Sequence, residues 1–329
     1  MSRRFPFPHP FGWFMVAYAD ELAPGEVTSL KYWSTDLVLW RDDAGEFHLQ
    51  DAFCPHLGAH LGVGGKVRGE HLECPFHGWT FDGAGACMSI PYSERVNRKA
   101  QLRNYPISLR NGMVFAWRHP DGLEPQWDIP VIEEVDDPAW SDYYRSSFII
   151  STVPQEMAEN GVDPAHFRYV HGTDDVAEME SYEQDGPFST MLSKQSYVTP
   201  RGVTYGRIDV YNYGPGMAKV WFSGIVDAIN VAATTPIDEE HTQVRFSFTV
   251  RKFDDEKMTS TVASAFVDEI NKQIREDTPI WEHKIFLPVP ALADTDGPIL
   301  KFRKWYSQFY AEPIDTGVAV AVSVGAEAR

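Results

Sequence analysis

Two short runs decide how this chain is read: Phe53-Cys54-Pro55-His56-Leu57-Gly58-Ala59-His60-Leu61-Gly62 and, further on, Cys74-Pro75-Phe76-His77-Gly78. Each holds one cysteine and one histidine. A single residue separates the first pair, two separate the second, and seventeen lie between His56 and Cys74. Two thiolates and two imidazoles would satisfy a tetrahedral zinc ion, which is the simplest reading. The unequal spacing and the neighbouring Gly58, Gly62, Gly64, Gly65 and Gly78 favour a bulkier group. Glycine lets backbone amides approach inorganic sulfide closely, which a lone zinc ion does not require.

Outward from these runs, the third cysteine, Cys87, reads as a buried small hydrophobe. His60 and His71 lie off the pattern and read as structural or solvated. Three cysteines in 329 residues exclude a disulfide-stapled scaffold and suit a reducing, cytoplasmic setting. Lysine and arginine number 29 against 47 acidic residues, a net charge of −18, which argues against nucleic acid or an anionic membrane as partner. Prolines at Pro6, Pro8 and Pro10 leave no apolar signal core at the N-terminus. The longest apolar run, residues 318–324, is too short to span a bilayer.

Residues 12–117 read as short strands punctuated by turns, such as Asn111-Gly112 before Met113-Val114-Phe115-Ala116-Trp117. Pro120, Pro125, Pro130 and Pro138, with Glu133, Glu134, Asp136 and Asp137, mark a connector. Residues 154–171 are helical in part. Residues 202–251 are rich in β-branched and aromatic types, with clear alternation across 244–250. A long helix is expected over 260–284, with Val262, Phe266, Ile270 and Ile274 on its inward face. The class is therefore α+β: an all-β domain over 1–120, a connector over 121–138, and a domain over 139–329 whose twisted antiparallel sheet wraps the long helix.

A second metal candidate is Asn160-Gly161-Val162-Asp163-Pro164-Ala165-His166, continuing to His171. Five residues of regular α-helix turn through about 500°, leaving the two imidazoles about 140° apart. Convergence needs a widened or interrupted turn, which Gly172 would permit. Read alone, the segment is equally a surface helix with Asp163 as its N-cap and Pro164 at its first position. No Gly-x-Gly-x-x-Gly unit joins a strand to a helix, so the chain carries no nicotinamide or flavin fingerprint.

The first two runs resemble the Rieske motif, Cys-x-His followed by Cys-x-x-His, and the likeness covers most of residues 11–118. It implies a [2Fe–2S] cluster with Cys54 and Cys74 on one iron and His56 and His77 on the other, at a potential above that of plant-type ferredoxins. Ala59 and Phe76 stand where respiratory Rieske proteins carry an extra disulfide, as in the oxygenase and ferredoxin branches. The segment from Asp163 to His171 then resembles the iron motif of Rieske non-haem iron oxygenases. This implies mononuclear Fe(II) held by His166, His171 and a distant carboxylate, with positions left for O2. In that family the carboxylate projects from a long helix within Glu-Asp-x-x-x-x-Glu. The run Glu276-Asp277-Thr278-Pro279-Ile280-Trp281-Glu282 matches, so Asp277 is the expected third ligand, with Asp268, Glu276 and Asp296 as alternatives.

The resemblance also implies that Asp163 bridges His77 of one subunit to His166 of its neighbour, and hence a homotrimer. Asn160 is then a weak distant ligand or a support. The broadest likeness is to the oxygenase component of 3-ketosteroid 9α-hydroxylases, with cholesterol 7-desaturases nearby. It is carried by Pro10-Phe11-Gly12-Trp13-Phe14, the first Cys-His run, Gly64-Gly65-Lys66-Val67, the segment Asp163 to Gly172, Asp296-Gly297-Pro298, and Arg303-Lys304-Trp305-Tyr306-Ser307-Gln308-Phe309-Tyr310. Such enzymes hydroxylate an unactivated C–H bond of an apolar polycyclic substrate, using O2 and electrons from a separate NADH-dependent ferredoxin reductase. The alternatives are a cis-dihydroxylating arene dioxygenase, a demethylase, or an electron carrier with a lipid-binding domain. Tyr211, Tyr213, Trp221 and Phe222 are the aromatics considered for a substrate pocket.

Overall fold

The computed structural model describes residues 4–199, 202–224 and 226–312; the apolar run over 318–324 lies outside them. The N-terminal strands are β1 (Gly12–Tyr18), β2 (Val27–Tyr32), β3 (Thr35–Arg41), β4 (Phe47–Asp51), β5 (Lys66–Arg68), β6 (His71–Glu73), β7 (Thr80–Phe81), β8 (Cys87–Ser89), β9 (Asn104–Tyr105), β10 (Ile107–Arg110) and β11 (Met113–Arg118). They form three antiparallel sheets, ordered β1-β11-β10, β2-β3-β4-β9 and β5-β6-β7-β8. The Cys74 loop joins β6 to β7 of the third sheet, and the Cys54 loop runs from β4 of the second sheet to β5 of the third. Its core packs Leu61, Leu72, Phe81 and Ile90 around Cys54, Cys74 and Cys87, so the third cysteine is a packing residue as expected.

The C-terminal sheet holds β12 (Tyr144–Ile150), β13 (Glu178–Asp185), β14 (Phe188–Thr199), β15 (Gly202–Tyr213), β16 (Met217–Ser223), β17 (Ala228–Pro236) and β18 (Thr242–Val250). All pairs are antiparallel, in the order β12-β18-β17-β16-β15-β14-β13. The helical elements are α1 (Pro154–Glu159), a 3-10 turn at Asn160–Val162, α2 (Pro164–Tyr169), α3 (Glu256–His283) and α4 (Ile299–Tyr306). Helix α3 starts earlier than the apolar pattern alone suggests, because Asp255 accepts a hydrogen bond from the Lys257 N–H and caps it. Its buried stripe runs Ala263, Val267, Ile274, Asp277 and Trp281, following the 3.6-residue period. Val262 therefore falls at the margin of the inward face rather than within it.

Alternation on β17 and β18 creates two different faces. Ile229, Val231 and Ala233 pack against Trp13, Met15, Phe115 and Trp117 of the N-terminal sheets. Val244, Phe246 and Phe248 turn the opposite way, onto Ile274 and Trp281 of α3. Polar bonds stitch the first face: Thr235 Oγ1 donates to the Met15 carbonyl (2.7 Å), and Tyr18 pairs with Ser247 (2.9 Å). The buried Arg245 donates to the Met15 carbonyl and to the Tyr32 hydroxyl. The segment after β11 has a 3-10 turn at Glu133–Val135. It also packs Trp127 edge-on to Trp117, with ring centroids 4.6 Å apart.

Candidate functional site

The two Cys-His loops are built alike. In the first, Gly58 N–H donates to the Cys54 carbonyl (2.9 Å) and Cys54 N–H to the Ala59 carbonyl (2.9 Å). In the second, Gly78 donates to Cys74 (3.1 Å) and Cys74 to Trp79 (2.8 Å). Gly58 and Gly78 occupy left-handed backbone conformations (φ +76° and +70°), which closes each loop into a tight knuckle. His56 stacks flat on Trp79 (4.4 Å, 9°), and its ring centroid lies 4.7 Å from that of His77. Burial pushes the Cys54 thiol up to about 11, with the neighbouring Cys74 sulfur acting in the same direction, so a metal must displace the proton for this sulfur to ligate at neutral pH.

Two observations test what these loops can hold. The Nδ1 atom of His77 is buried and has no hydrogen-bond partner, a cost that a metal bond would remove. Among the described residues, the one set of three or more His, Cys, Asp or Glu donors lying within 4.8 Å of one another is His166, His171 and Asp277. One thiol and one imidazole on each of two facing loops suit a two-iron cluster with a thiolate-bound and an imidazole-bound iron. His60 is structural: its Nδ1 accepts from the Gly62 N–H (3.1 Å), and its ring meets Phe53 edge-on.

The second site is assembled from three elements. Asp163 caps α2, its Oδ1 accepting from the Ala165 N–H (3.1 Å), and Pro164 follows at the first helical position. Helix α2 ends at Tyr169, so the break that brings the histidines together falls before His171 and not at Gly172. Their rings sit 5.3 Å apart at 82°. From α3, Asp277 comes within 3.4 Å of His171 Nε2. Asp277 is 7% exposed, because position 277 continues the buried stripe between Ile274 and Trp281.

Both imidazoles are held by their other nitrogen. His166 Nδ1 donates to the Asp163 backbone carbonyl, and His171 Nδ1 donates to Glu276 Oε2 (3.0 Å). Each acceptor lacks a proton, so Nδ1 carries the hydrogen on both rings and Nε2 is the nitrogen each ring can offer to a metal. Burial holds His166 below the ordinary histidine range, as a neutral ligand needs. Burial also depresses His171, but Asp277 and Glu276 outweigh it and the net shift is upward.

The alternatives for the third ligand fall elsewhere. Glu276 supports His171 from behind, Asp296 Oδ2 accepts from the Ala293 N–H (2.8 Å), and Asp268 is exposed. The contact between Asp163 and His166 runs through the backbone carbonyl, while the carboxylate caps the helix. Within the chain, the expected link from Asp163 to His166 is thus made by the backbone carbonyl, and one carboxylate oxygen is left over. Asn160 Oδ1 accepts from Trp281 Nε1 at 3.4 Å.

The His166–His171–Asp277 cluster opens into a cavity of about 210 Å³ between the sheet and α3. Its sheet wall includes Ile208, Val210, Ala218, Val220 and Phe222. Of the four aromatics considered, Phe222 alone lines it. Tyr211, Tyr213 and Trp221 are odd-numbered on strands whose even-numbered residues face inward, so the pleat turns them to the opposite face. Helix α4 closes the cavity with Trp305 and Tyr306. It is pinned by the buried Arg303, whose guanidinium pairs in two-pronged fashion with Glu159 of α1 (2.6 and 2.8 Å). Gly297 is required by a close approach: a Cβ there would lie 1.8 Å from the Val162 carbonyl oxygen, immediately before Asp163. Neither Arg303–Glu159 nor Gly297 carries a local sequence signal for its role.

Comparison with known proteins shows the family of both halves of the chain. Residues 116–310 match the family model of the 3-ketosteroid 9α-hydroxylase C-terminal domain, and residues 12–106 match the Rieske [2Fe-2S] domain. The chain is 31% identical over 328 residues to cholesterol 7-desaturase of Ciona intestinalis, covering 92% of this chain and 69% of that one. It is 30% identical over 323 residues to the oxygenase component of 3-ketosteroid-9-alpha-monooxygenase of Rhodococcus rhodochrous, covering 92% and 84%. The crystal structure of dicamba monooxygenase bound to dicamba shares the fold, with a TM-score of 0.73 at 19% identity over 91% of this chain and 97% of that one. No helix among the described residues is long and apolar enough to cross a membrane.

Proposed function

Because the chain belongs to the Rieske oxygenase family that includes the 3-ketosteroid 9α-hydroxylases and cholesterol 7-desaturases, we propose that it is a terminal oxygenase hydroxylating an unactivated C–H bond of a steroid-like, apolar polycyclic substrate. The observation that carries this reading is the set of His166, His171 and Asp277, within 4.8 Å of one another at an apolar cavity. When bound, the [2Fe–2S] cluster passes single electrons and the mononuclear iron activates O2 beside the substrate.

The chain's own groups have distinct tasks. Cys54, Cys74, His56 and His77 hold the cluster. His166, His171 and Asp277 hold the iron, the Asp163 carbonyl and Glu276 orienting the two imidazoles. Val210, Val220 and Phe222 exclude water and bind the substrate's apolar face. Asp163 keeps one carboxylate oxygen beyond its capping bond, and we assign it the bridge to His77 of a neighbouring subunit in a homotrimer. The exposed apolar side chains Leu57 and Phe76 beside the cluster loops, and Tyr169 on α2, support such an interface. Electrons then come from a separate NADH-dependent reductase. The three cysteines are unpaired, consistent with a cytoplasmic setting. We place the division between the two domains in the segment 121–138.

The test is conversion of a panel of steroids by the purified protein with NADH, O2 and a ferredoxin reductase. A hydroxylated product whose oxygen derives from O2 is expected. NADH consumption without product from any steroid, alongside turnover of simple arenes, would overturn the substrate assignment.

A further inference from the structure

Outside the His166–His171–Asp277 cluster, the cavity has few polar side chains, and nearly all are already partnered. Asn212 Nδ2 donates to Ser189 Oγ (3.0 Å), and Thr234 Oγ1 donates to the Pro215 carbonyl (3.4 Å). On the helical side, Asn160 accepts from Trp281 Nε1 (3.4 Å) and Gln273 donates to Glu269 (3.4 Å). Asn230 differs. It lies in mid-β17 and is 3% exposed, lining the cavity while its neighbours Ile229 and Val231 face the N-terminal sheets. Its Oδ1 has no hydrogen-bond partner, and its side-chain amide makes no hydrogen bond to the described residues. Its cross-strand neighbours are Val220 and Phe248, which offer it nothing polar.

A buried carboxamide without partners disfavours the empty fold, so its presence at this position points to a ligand group that satisfies it. We propose that Asn230 is a specificity-determining residue that holds a single oxygen substituent, a hydroxyl or a ketone, on the otherwise apolar polycycle. This inference rests on the assignment of the cavity as the substrate site. Nδ2 can donate to either oxygen, and Oδ1 can also accept from a hydroxyl. Fixed to a central strand of the sheet, this one polar anchor sets which edge of the ring system faces His166, His171 and Asp277. A polycycle lacking the oxygen would leave the carboxamide unpaired and be rejected, in the way sites built around a hydrogen bond reject analogues without it.

The experiment measures binding of cholesterol, cholestenone and the hydrocarbon cholestane to the metal-loaded protein, through quenching of tryptophan fluorescence; Trp281 and Trp305 line the cavity. Wild type is expected to bind the better of the two oxygenated probes at least about tenfold more tightly than cholestane. Comparing cholesterol with cholestenone shows which oxygen Asn230 prefers. Asn230→Leu should bring the three affinities within about twofold of one another by keeping cholestane binding and losing the oxygen preference. Its melting temperature should equal or exceed that of wild type, since an unpaired buried polar group has been removed. A preference that survives in Asn230→Leu would overturn the proposal, as would a wild type that binds all three probes equally. If none of the three binds, the substrate reading of the cavity falls, and this inference with it.

Discussion

Glu276 offers the most quantitative test of how the second site is built. Its Oε2 accepts from His171 Nδ1 at 3.0 Å, while Lys272 Nζ lies 3.6 Å from Oε1. A hydrogen bond to a charged group contributes about 1.5–3 kcal/mol when well shielded. Glu276 is 31% exposed and shares its charge with Lys272, so screening brings the contribution to the bottom of that range and below it, about 1–2 kcal/mol. Since 1.4 kcal/mol is about tenfold, Glu276→Ala should weaken iron retention by about 5- to 30-fold. Glu276→Gln keeps an acceptor but loses the charge, and should fall between alanine and wild type. The assay is a ferrous-chelator titration of the loaded protein, with the visible spectrum of the cluster followed in the same cuvette as an internal control. Iron that leaves Glu276→Ala no faster than wild type would refute the assigned role. So would a cluster spectrum that decays in step with iron loss, because Glu276 belongs to the other site.

Asp163→Ala should leave cluster colour and iron content nearly intact but abolish turnover, losing about 1 kcal/mol of helix-cap stability; Asp163→Asn, which keeps a capping oxygen, should be equally inactive at wild-type stability, and retained turnover in either would remove the bridging role. Gly297→Ala should cost about 1–3 kcal/mol and selectively deplete the mononuclear iron, because the new methyl would press on the Val162 carbonyl next to Asp163; an unchanged iron-to-sulfide ratio would speak against it. Burial holds the Glu156 carboxyl above its ordinary value even though Lys284 lies 2.6 Å away. The folded state therefore binds that proton more tightly than the unfolded state, and stability falls as pH rises from 4.5 through the raised value, then levels. Glu156→Gln should accordingly melt higher than wild type at neutral pH, the gap closing as the pH is lowered toward 4.5, and a lower melting temperature at pH 7 would contradict that sign.

How much could be read from the residues alone depended on whether the relevant signal was local. The Cys-His runs, the capping Asp163-Pro164 pair and the alternation over 244–250 are local patterns, and the structure contains the corresponding knuckles, helix start and two-faced strand. Asp277 was named through the likeness of the run 276–282 to the family's helix motif, and its place in the apolar stripe of α3 agrees with that. The position of the helix break was not legible. Convergence of His166 and His171 demands an interruption, but only the structure shows it falling after Tyr169. Which aromatics line the cavity could not be read without the strand register, since Trp221 and Phe222 are adjacent and must face opposite ways. Arg303 and Glu159, 144 residues apart, carry no mutual pattern at all. Asn230 was invisible for a different reason: a polar residue inside a strand becomes informative only when its neighbours are known to leave it unpaired.

Metal and sulfide analysis of the anaerobically reconstituted protein tests the central claim most directly. Two separate sites predict about three irons and two acid-labile sulfides per chain. His166→Ala should lower iron to about two while sulfide stays at about two. A wild type holding about two irons and two sulfides, unchanged by the His166 substitution, would contradict the account and leave an electron carrier in its place.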